Sequence, residues 1–488
     1  MNNIFDKLKV YSDSDYYAFH MPGHKRNLDL MDGTSPYRID ITEIDGFDDL
    51  HHAEGILRDA QERAARVYHA DETHFLVNGS TVGILSAILG TTEKGDSILV
   101  ARNCHKSVYH AIYLNELDPV YLYPKFDTEQ GLSTEIDVAD VQKALEEHPK
   151  IRAVMIVSPT YDGVVSDIEK IAEIVHAKGC PLIVDEAHGA HFGFDPYFPK
   201  SANIYGADLV INSLHKTLPA LTQTALLHVN GDMVKRRKVK QYLDMLQTSS
   251  PSYILMASID ACIGMLEETL ETHSDARSDY KYKNIFSEYA NRIEALRKDL
   301  KRLKYLKIIQ TDNTDRYDRS KFVISVKHAP MSSHELYEIL LHRYHLQMEM
   351  LAGTYVLAMT TVGDTQEGLD RLRDALLEID KEIDTRQGRP AAIETDLPLS
   401  GRQPALEKVW TIAEAVNRRD KIQKRSFEDS IGCISVEYAY LYPPGSPLIV
   451  PGERITKEAV EILHWYQEHD FSIEGLQSED GIEVWIDG

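Results

Sequence analysis

The chain has 488 residues, of which 43% are hydrophobic, and it carries a formal net charge of −24. This length exceeds what one hydrophobic core normally covers, so we expect two or three domains. The acidic balance argues against a nucleic acid or an anionic membrane as partner, and it is compatible with a cationic substrate. No apolar run approaches the roughly 20 residues of a membrane span. The N-terminus has no apolar signal core and the four cysteines form no C-x-x-C pair, so the sequence predicts a cytoplasmic protein.

The sequence predicts four segments in chain order. Residues 1–53 form an N-terminal arm with a Pro-Gly-His-Lys tetrapeptide. In residues 54–305, short β-rich runs alternate with helical stretches and give way to helices, which predicts a large α/β domain around a largely parallel sheet. In residues 306–385, a mixture of strand-like and helix-like runs predicts a smaller α/β domain. Residues 386–488 begin as a polar, proline-bearing linker and continue as a small C-terminal α/β domain.

The first strand end of the large domain reads Asn78-Gly-Ser80-Thr81 and opens a helix. Ligands of parallel sheets gather at the carboxyl ends of strands. The glycine lets a ligand approach the backbone, the hydroxyl groups donate hydrogen bonds, and the helix N-terminus favours an anion. An ordinary helix N-cap is the alternative interpretation.

A later strand end reads VDEAHGAH and contains Asp185, His188 and His191. DEAH also marks helicases, but the chain has no G-x-x-x-x-G-K-[ST] phosphate loop, which excludes that function. A zinc pair of His188 and His191 would lack a matching third ligand, so we predict no metal site. The third interpretation is that Asp185 faces a protonated heterocyclic nitrogen.

Lys216 follows Asp185 by 31 residues, in an apolar stretch at another strand end. A buried ammonium is costly unless it is paired or neutralised. An imine with the aldehyde of pyridoxal phosphate would remove this cost, and Asp185 would keep the cofactor's ring nitrogen protonated. A lysine that extends to solvent is the alternative.

Seven motifs of the chain resemble, in order, the bacterial ornithine/lysine/arginine decarboxylases. They are FHMPGHKR (19–26), DITEIDGFDDLHHAEG (40–55), ARNCHKSVYHA (101–111), SPTYDG (158–163), VDEAHGAHFG (184–193), SLHKT (213–217) and YPPGSPLIVPGE (442–453). The resemblance implies pyridoxal 5'-phosphate as cofactor and the fold of aspartate aminotransferase, fold type I. Because the Pro-Gly-His-Lys motif begins at Pro22, the chain resembles the short form, which lacks an N-terminal receiver-like domain.

The same resemblance assigns roles to single residues. It implies that Lys216 binds the cofactor covalently, that Asp185 pairs with the ring nitrogen and that His105 stacks on the ring. His188 corresponds to a position near the ring hydroxyl, where long-form relatives have tryptophan. The phosphate and cofactor contacts are implied for Ser80, Thr81, Ser213 and His215. The segment QTSSPSY, with Ser249 as the main contact, resembles one donated to a neighbouring subunit, which implies a homodimer or higher oligomer with shared active sites.

Aminotransferases of this fold place a phosphate-binding arginine shortly after the lysine, but here the next arginine is Arg236. This absence favours decarboxylation. The predicted substrate is a basic L-amino acid, and Glu43, Asp45 and Glu437 are candidate partners for its cationic side chain. Solvated loop charges are the alternative interpretation of these carboxylates.

The resemblance favours arginine, converted to agmatine and CO2 for polyamine synthesis, although no residue separates arginine from lysine or ornithine. Two other classes stay open. One is another fold-type-I enzyme, an aminotransferase or a lyase, which would keep the same cofactor residues. The other is a protein without catalytic activity, which the intact lysine, aspartate and histidine disfavour.

Overall fold

Seven strands form the central sheet of the computed structural model, which describes residues 13–25, 27, 36–270, 282–309, 316–385, 403–442 and 446–486. In spatial order the strands are Glu72–Leu76, Ala225–Val229, Leu209–Asn212, Leu182–Asp185, Ile151–Val157, Ser97–Ala101 and Asp118–Leu122. Ala225–Val229 is antiparallel to both neighbours, and all other adjacent pairs are parallel. The prediction of a largely parallel sheet is confirmed.

Helices connect these strands and cover the sheet. They are Ile56–Val67, Gly79–Thr91, Lys106–Leu114, Val138–Glu147, Ile168–Ala177, Leu214–Thr217 and Arg236–Leu246, with 3-10 turns at Leu50–His52 and Ala202–Tyr205 and a short helix at Pro36–Ile39. Gly79–Thr91 is almost entirely apolar because it lies between the sheet and Arg236–Leu246. A Cβ atom at Gly90 would lie 2.9 Å from the Cα atom of Val239, so only glycine permits this close approach.

A second, four-stranded sheet lies C-terminal to the first and is antiparallel throughout. Its strands, in spatial order, are Lys307–Ile309, Lys321–Ser325, Tyr355–Met359 and Met350–Ala352. The helices of this part are Tyr253–Leu270, Ile285–Leu300, Ser333–His342 and Gln366–Thr385. Ile285–Leu300 packs against Gln366–Thr385, and one hydrophobic core includes side chains from both. The predicted boundary at 305/306 therefore runs between elements that share a core, and it stays a prediction.

The N-terminal arm adds a strand beside this second sheet. Tyr17–Phe19 pairs in parallel with Leu346–Met348. A separate small hairpin of the large domain pairs Phe126–Asp127 with Leu132–Ser133.

The predicted linker lies mostly at 386–402, outside the described residues. None of the helices in the described ranges is long and apolar enough to cross a membrane.

Two three-stranded antiparallel sheets form the C-terminal part of the chain. In spatial order they are Ile422–Arg425, Ile482–Trp485 and Ile434–Ser435, and then Ser446–Ile449, Ala439–Tyr442 and Ser472–Glu474. Helices Ile412–Val416 and Lys457–Glu468 and a 3-10 turn at Glu428–Ser430 accompany them. The larger helix packs on a separate hydrophobic core of this part.

A buried ion pair joins this C-terminal part to the central sheet. Arg102, directly after strand Ser97–Ala101, donates from Nη2 to Oε2 of Glu453 at 2.9 Å, and both side chains are 1% exposed. The same guanidinium donates to the hydroxyl of Tyr109 and to the carbonyl of Leu448. Removal of one partner would leave the other as an unpaired buried charge.

We predict that Glu453→Gln lowers the free energy of unfolding by about 3–5 kcal/mol, because Arg102 loses its counter-charge in a buried site. All three tryptophans, Trp410, Trp465 and Trp485, lie in the C-terminal part, so their fluorescence in a urea titration reports this transition. Glu382→Gln, which removes a half-exposed partner of Arg343, is the control and should cost at most about 1 kcal/mol. Equal midpoints for the two variants would contradict the prediction.

Candidate active site

A cavity of about 220 Å³ lies at the carboxyl ends of the central strands. Three parts of the chain line it. The large sheet contributes Ser80, His105, Asp185, His188 and Lys216. Two strands of the second sheet, Met350–Ala352 and Tyr355–Met359, and the turn between them contribute Ala352, Gly353, Thr354 and Tyr355. The C-terminal part contributes Gln403, Leu441, Ser446 and Tyr466. Four of the predicted cofactor residues that surround Lys216 therefore share one cavity with it.

Lys216 lies in the short helix that follows strand Leu209–Asn212. Its Nζ atom is 3.0 Å from Nε2 of His188. Burial lowers the pKa of the Lys216 amine, and the carboxylates of Asp185 and Glu349 oppose that shift. The environment therefore favours the neutral amine, which is the nucleophilic form needed to bind an aldehyde.

Asp185 ends strand Leu182–Asp185 and is 3% exposed. One of its oxygens accepts a hydrogen bond from the Ala187 N–H at 3.1 Å. Burial raises the pKa of this carboxyl group, and nearby Lys216 opposes the shift. A second cation beside the carboxylate, such as a protonated ring nitrogen, would stabilise its charged form.

His105 precedes helix Lys106–Leu114 as its N-cap and contacts Ser107 through Nδ1. Burial lowers the pKa of His105 to about 4, with a further contribution from the positive charge of Lys216. Its imidazole is therefore neutral at physiological pH. A flat neutral ring at the cavity wall suits packing against an aromatic cofactor.

His188 is also held neutral, because burial and the charge of Lys216 lower its pKa well below the usual value. Its ring centroid lies 4.4 Å from that of Tyr161. Nδ1 of His188 is buried and has no hydrogen-bond partner among the described residues. This nitrogen is available to a ligand in the cavity, and the position of His188 near the ring hydroxyl stays a prediction.

Two of the predicted phosphate contacts, Ser80 and Thr81, lie at the start of helix Gly79–Thr91, where Asn78 makes no side-chain cap. Ser80 lines the cavity, whereas Thr81 is exposed outside it. The hydroxyl groups of Ser213 and Thr217 are buried without a hydrogen-bond partner in the described part of the chain. His215 binds the carbonyl of Thr224 through Nδ1. Unpartnered hydroxyl groups and the uncapped N-terminus of helix Gly79–Thr91 are each features that suit a phosphate.

The Pro-Gly-His-Lys segment contacts the backbone of the short helix that carries Lys216. The Gly23 N–H donates to the carbonyl of His215 at 2.6 Å, and a Cβ atom at Gly23 would lie 2.7 Å from two backbone atoms of Leu218. Lys25 donates from Nζ to the carbonyls of His20 and Met359. This motif therefore acts on the backbone on both sides of Lys216.

The other predicted contacts lie outside the cavity of the single chain. Glu43, Asp45 and Ser249 are exposed. The contact of Ser249 with a neighbouring subunit and the contacts of Glu43 and Asp45 with the substrate stay predictions. The Glu437 carboxylate accepts hydrogen bonds from the N–H groups of Gln477 and Glu483, at 3.0 and 2.7 Å. These bonds give Glu437 a structural role, and its predicted contact with substrate gains no support.

The sequence interpretation missed several cavity residues, among them Tyr161, Asp162, Tyr355, Gln403 and Tyr466. Tyr161 and Asp162 belong to SPTYDG, one of the seven motifs, but the motif did not indicate a role for them. Tyr355, Gln403 and Tyr466 lie outside these motifs, so no sequence pattern pointed to them.

His191 does not join His188 as a metal ligand in the described structure. Its Nε2 atom is 3.1 Å from Asp318, in a buried pair. The described residues contain no group of three or more His, Cys, Asp or Glu side chains suited to a metal ion.

The family model for the major domain of Orn/Lys/Arg decarboxylases matches residues 2–339, and the model for the C-terminal domain of these enzymes matches residues 402–484. The chain belongs to this family. It is a pyridoxal-phosphate-dependent amino-acid decarboxylase, as its predicted motifs implied. Three features fit that cofactor: the buried hydroxyl groups of Ser213 and Thr217, the lowered pKa of the Lys216 amine, and the carboxyl group of Asp185.

Two curated relatives match this decarboxylase over most of both chains. The uncharacterized protein YaaO of Bacillus subtilis is 36% identical over 468 residues, which cover 94% of this chain and 93% of YaaO. The arginine decarboxylase of Bacillus subtilis is 31% identical, with coverage of 94% and 92%. Among solved structures, the Francisella novicida lysine decarboxylase LdcF superposes with a TM-score of 0.78 at 18% identity, covering 98% of this chain and 80% of LdcF.

The structural likeness concerns the fold, which is the aminotransferase-like fold of pyridoxal-phosphate-dependent enzymes. The predicted fold class is therefore confirmed.

Lys25 and Lys216 lie close enough to the buried Lys321 for their charges to lower its pKa, so three neighbouring lysines compete as the site of cofactor attachment. We predict that borohydride treatment of the holoenzyme, followed by digestion and mass spectrometry, finds the pyridoxyl group on Lys216 alone, because only Lys216 lines the cavity. The same treatment of cofactor-free protein is the control. A pyridoxyl group on Lys25 or Lys321 would refute the assignment.

Gly23→Ala tests whether the contact of Gly23 with the backbone around Lys216 positions this lysine. The added methyl group collides with the Leu218 backbone and moves Lys216, so we predict that cofactor affinity falls by about 10-fold or more, since small displacements are costly at a reactive group. Gly264→Ala is the matched control, because a Cβ atom there meets nothing within 4 Å. Absorbance titration of the apoenzyme with pyridoxal phosphate measures both, and equal affinities would rule out the positioning role.

Proposed function

We propose that this decarboxylase converts L-arginine to agmatine and CO2. The observation that carries the choice of reaction is the composition of the cavity wall. Lysine, aspartate and two histidines surround one space, and the described lining residues include no arginine. An aminotransferase keeps its substrate carboxylate and needs a cation to hold it, whereas a decarboxylase releases that group.

Arginine as the substrate is supported by the arginine decarboxylase of Bacillus subtilis, which matches this chain almost from end to end. Lysine and ornithine are the alternatives within the family, since their side chains are also cationic. Formation of agmatine would also link the enzyme to polyamine synthesis.

In this proposal, Lys216 binds the cofactor covalently, Asp185 pairs with its ring nitrogen and His105 packs against its ring. Ser80, Ser213 and His215 lie around the phosphate. When bound, pyridoxal phosphate supplies an electron-withdrawing ring that accepts the electron pair left by departing CO2.

The protein's own contribution is orientation, exclusion of water and proton transfer. Apolar side chains such as Phe126, Val157 and Leu441 line the cavity, and a poorly hydrated site favours loss of a carboxylate because charge is dispersed as CO2 leaves. The carbon that loses CO2 then needs a proton. We assign its delivery to the protonated amine of Lys216, whose Nζ atom is 3.0 Å from Nε2 of the neutral His188 and is oriented by that contact.

The proposal includes a cytoplasmic homodimer with shared active sites. All four cysteines are free thiols, three of them buried, which suits a reducing compartment. Ser249 is exposed beside the start of helix Gly79–Thr91, where the Thr248 N–H donates to Asn78. A neighbouring subunit can reach this surface.

We expect the holoenzyme, given arginine, lysine and ornithine separately, to release CO2 fastest from arginine, with an equal amount of agmatine. The acceptor groups of the cavity would be placed for the cation at the end of the longest of the three side chains, so we expect kcat/KM for arginine to exceed the others by about 10-fold or more. Chromatography of the amines and capture of CO2 measure this, with Lys216→Ala as the inactive control.

Each other outcome identifies a different enzyme. Faster formation of cadaverine or putrescine would change the substrate but keep the reaction. A keto acid product without CO2 would mean that the enzyme is an aminotransferase.

A further inference from the structure

Two carboxylates line the cavity within the described residues, Asp185 and Asp162. Asp185 is next to Lys216 and serves the cofactor in the proposed function. Asp162 belongs to the SPTYDG segment after strand Ile151–Val157, and the proposed function gives it no task in cofactor binding or proton transfer. A buried carboxylate at a ligand cavity needs an explanation, because burial of an unpaired charge is costly.

Asp162 is only 7% exposed, and it has one hydrogen bond to a side chain: the Tyr355 hydroxyl donates to its Oδ1 atom at 2.6 Å. It has no ion-pair partner among the residues that the structure describes. The nearby cation, Lys321, pairs instead with Asp318, 3.8 Å away. Burial raises the pKa of Asp162 to about 6, although the Tyr355 hydrogen bond and Lys321 oppose the shift. A cationic ligand would stabilise the charged carboxylate.

The wall around Asp162 suits a cationic side chain with several N–H groups. Gln403 lines the same cavity, and its Oε1 atom is buried without a hydrogen-bond partner within the described ranges. Tyr161, Tyr355 and Tyr466 also line it. Aromatic faces attract cations, and a planar guanidinium offers five N–H donors to acceptors such as a carboxylate and an amide oxygen.

We infer that Asp162 determines substrate specificity by binding the distal cationic group of the substrate, with Oε1 of Gln403 as a second acceptor. This inference rests on the proposed function for the class of substrate. It gives the SPTYDG segment a direct contact with the substrate, and it makes the exposed Glu43 and Asp45 unnecessary for that contact.

The test compares arginine with citrulline, which has the same shape but a neutral end group. In the wild-type holoenzyme, arginine should give the higher kcat/KM. In Asp162→Asn, we expect the arginine-to-citrulline ratio of kcat/KM to fall by about 10- to 100-fold, the effect of one buried charged hydrogen bond. The absorbance of the bound cofactor should be unchanged.

Asp232→Asn is the matched control, because it makes the same change at an exposed aspartate that does not line the cavity. Its ratio should stay within about 3-fold of the wild-type ratio, since a surface substitution leaves the cavity unaltered. An unchanged ratio in Asp162→Asn would overturn the inference. An equal fall in both variants would also overturn it, because the effect would then not come from the cavity carboxylate.

A second variant decides the question if Asp162→Asn fails to bind the cofactor. Gln403→Leu should lower the same ratio by about 3- to 10-fold, the cost of one lost hydrogen bond to a charged group, and an unchanged ratio would refute the inference.

Failure of the proposed function is visible separately, in the wild-type enzyme. If cadaverine forms instead of agmatine, lysine and norleucine replace arginine and citrulline in the same comparison. The test of Asp162 is then unaffected.

Discussion

Burial of the Lys216 amine is the constraint on which the rest of the site depends. A charged ammonium is unfavourable in this environment, so the pKa of the amine falls, and the neutral form is the one that can bind an aldehyde. The same low polarity keeps His105 and His188 neutral. The cavity therefore holds two neutral imidazoles beside an amine whose pKa is lowered, and Asp185 is the carboxylate that can pair with a cofactor's protonated ring nitrogen.

Distant parts of the chain maintain this environment. The N-terminal arm contacts the backbone beside Lys216 through Gly23, at a separation that leaves no room for a side chain. The C-terminal part closes the cavity and is joined to the His105 strand end by the buried pair of Arg102 and Glu453. These connections explain why the family motifs extend over nearly the whole chain although the chemistry is concentrated in a few residues.

The two cavity carboxylates, Asp185 and Asp162, occupy different surroundings and suit different ligands. Asp185 lies beside the lysine, whereas Asp162 is held by Tyr355, which is 193 residues away in the sequence. Neither carboxylate forms an ion pair with a side chain of the described chain. Each suits a different cation, one on the cofactor and one on the substrate. A site of this kind binds a cationic amino acid without an arginine that would hold the carboxylate in place.

The sequence by itself determined the parallel sheet, the order of Asp185 and Lys216 at its strand ends, and the family, because each of these depends on short-range patterns of apolar runs, turns and motifs. It did not identify Asp162, Tyr355 or Gln403 as neighbours, and it gave Glu437 a place at the substrate that its two backbone hydrogen bonds do not support. Contacts between residues far apart in the chain depend on how sheets and helices pack. Only the tertiary structure decided which carboxylates face the cavity and which stabilise loops.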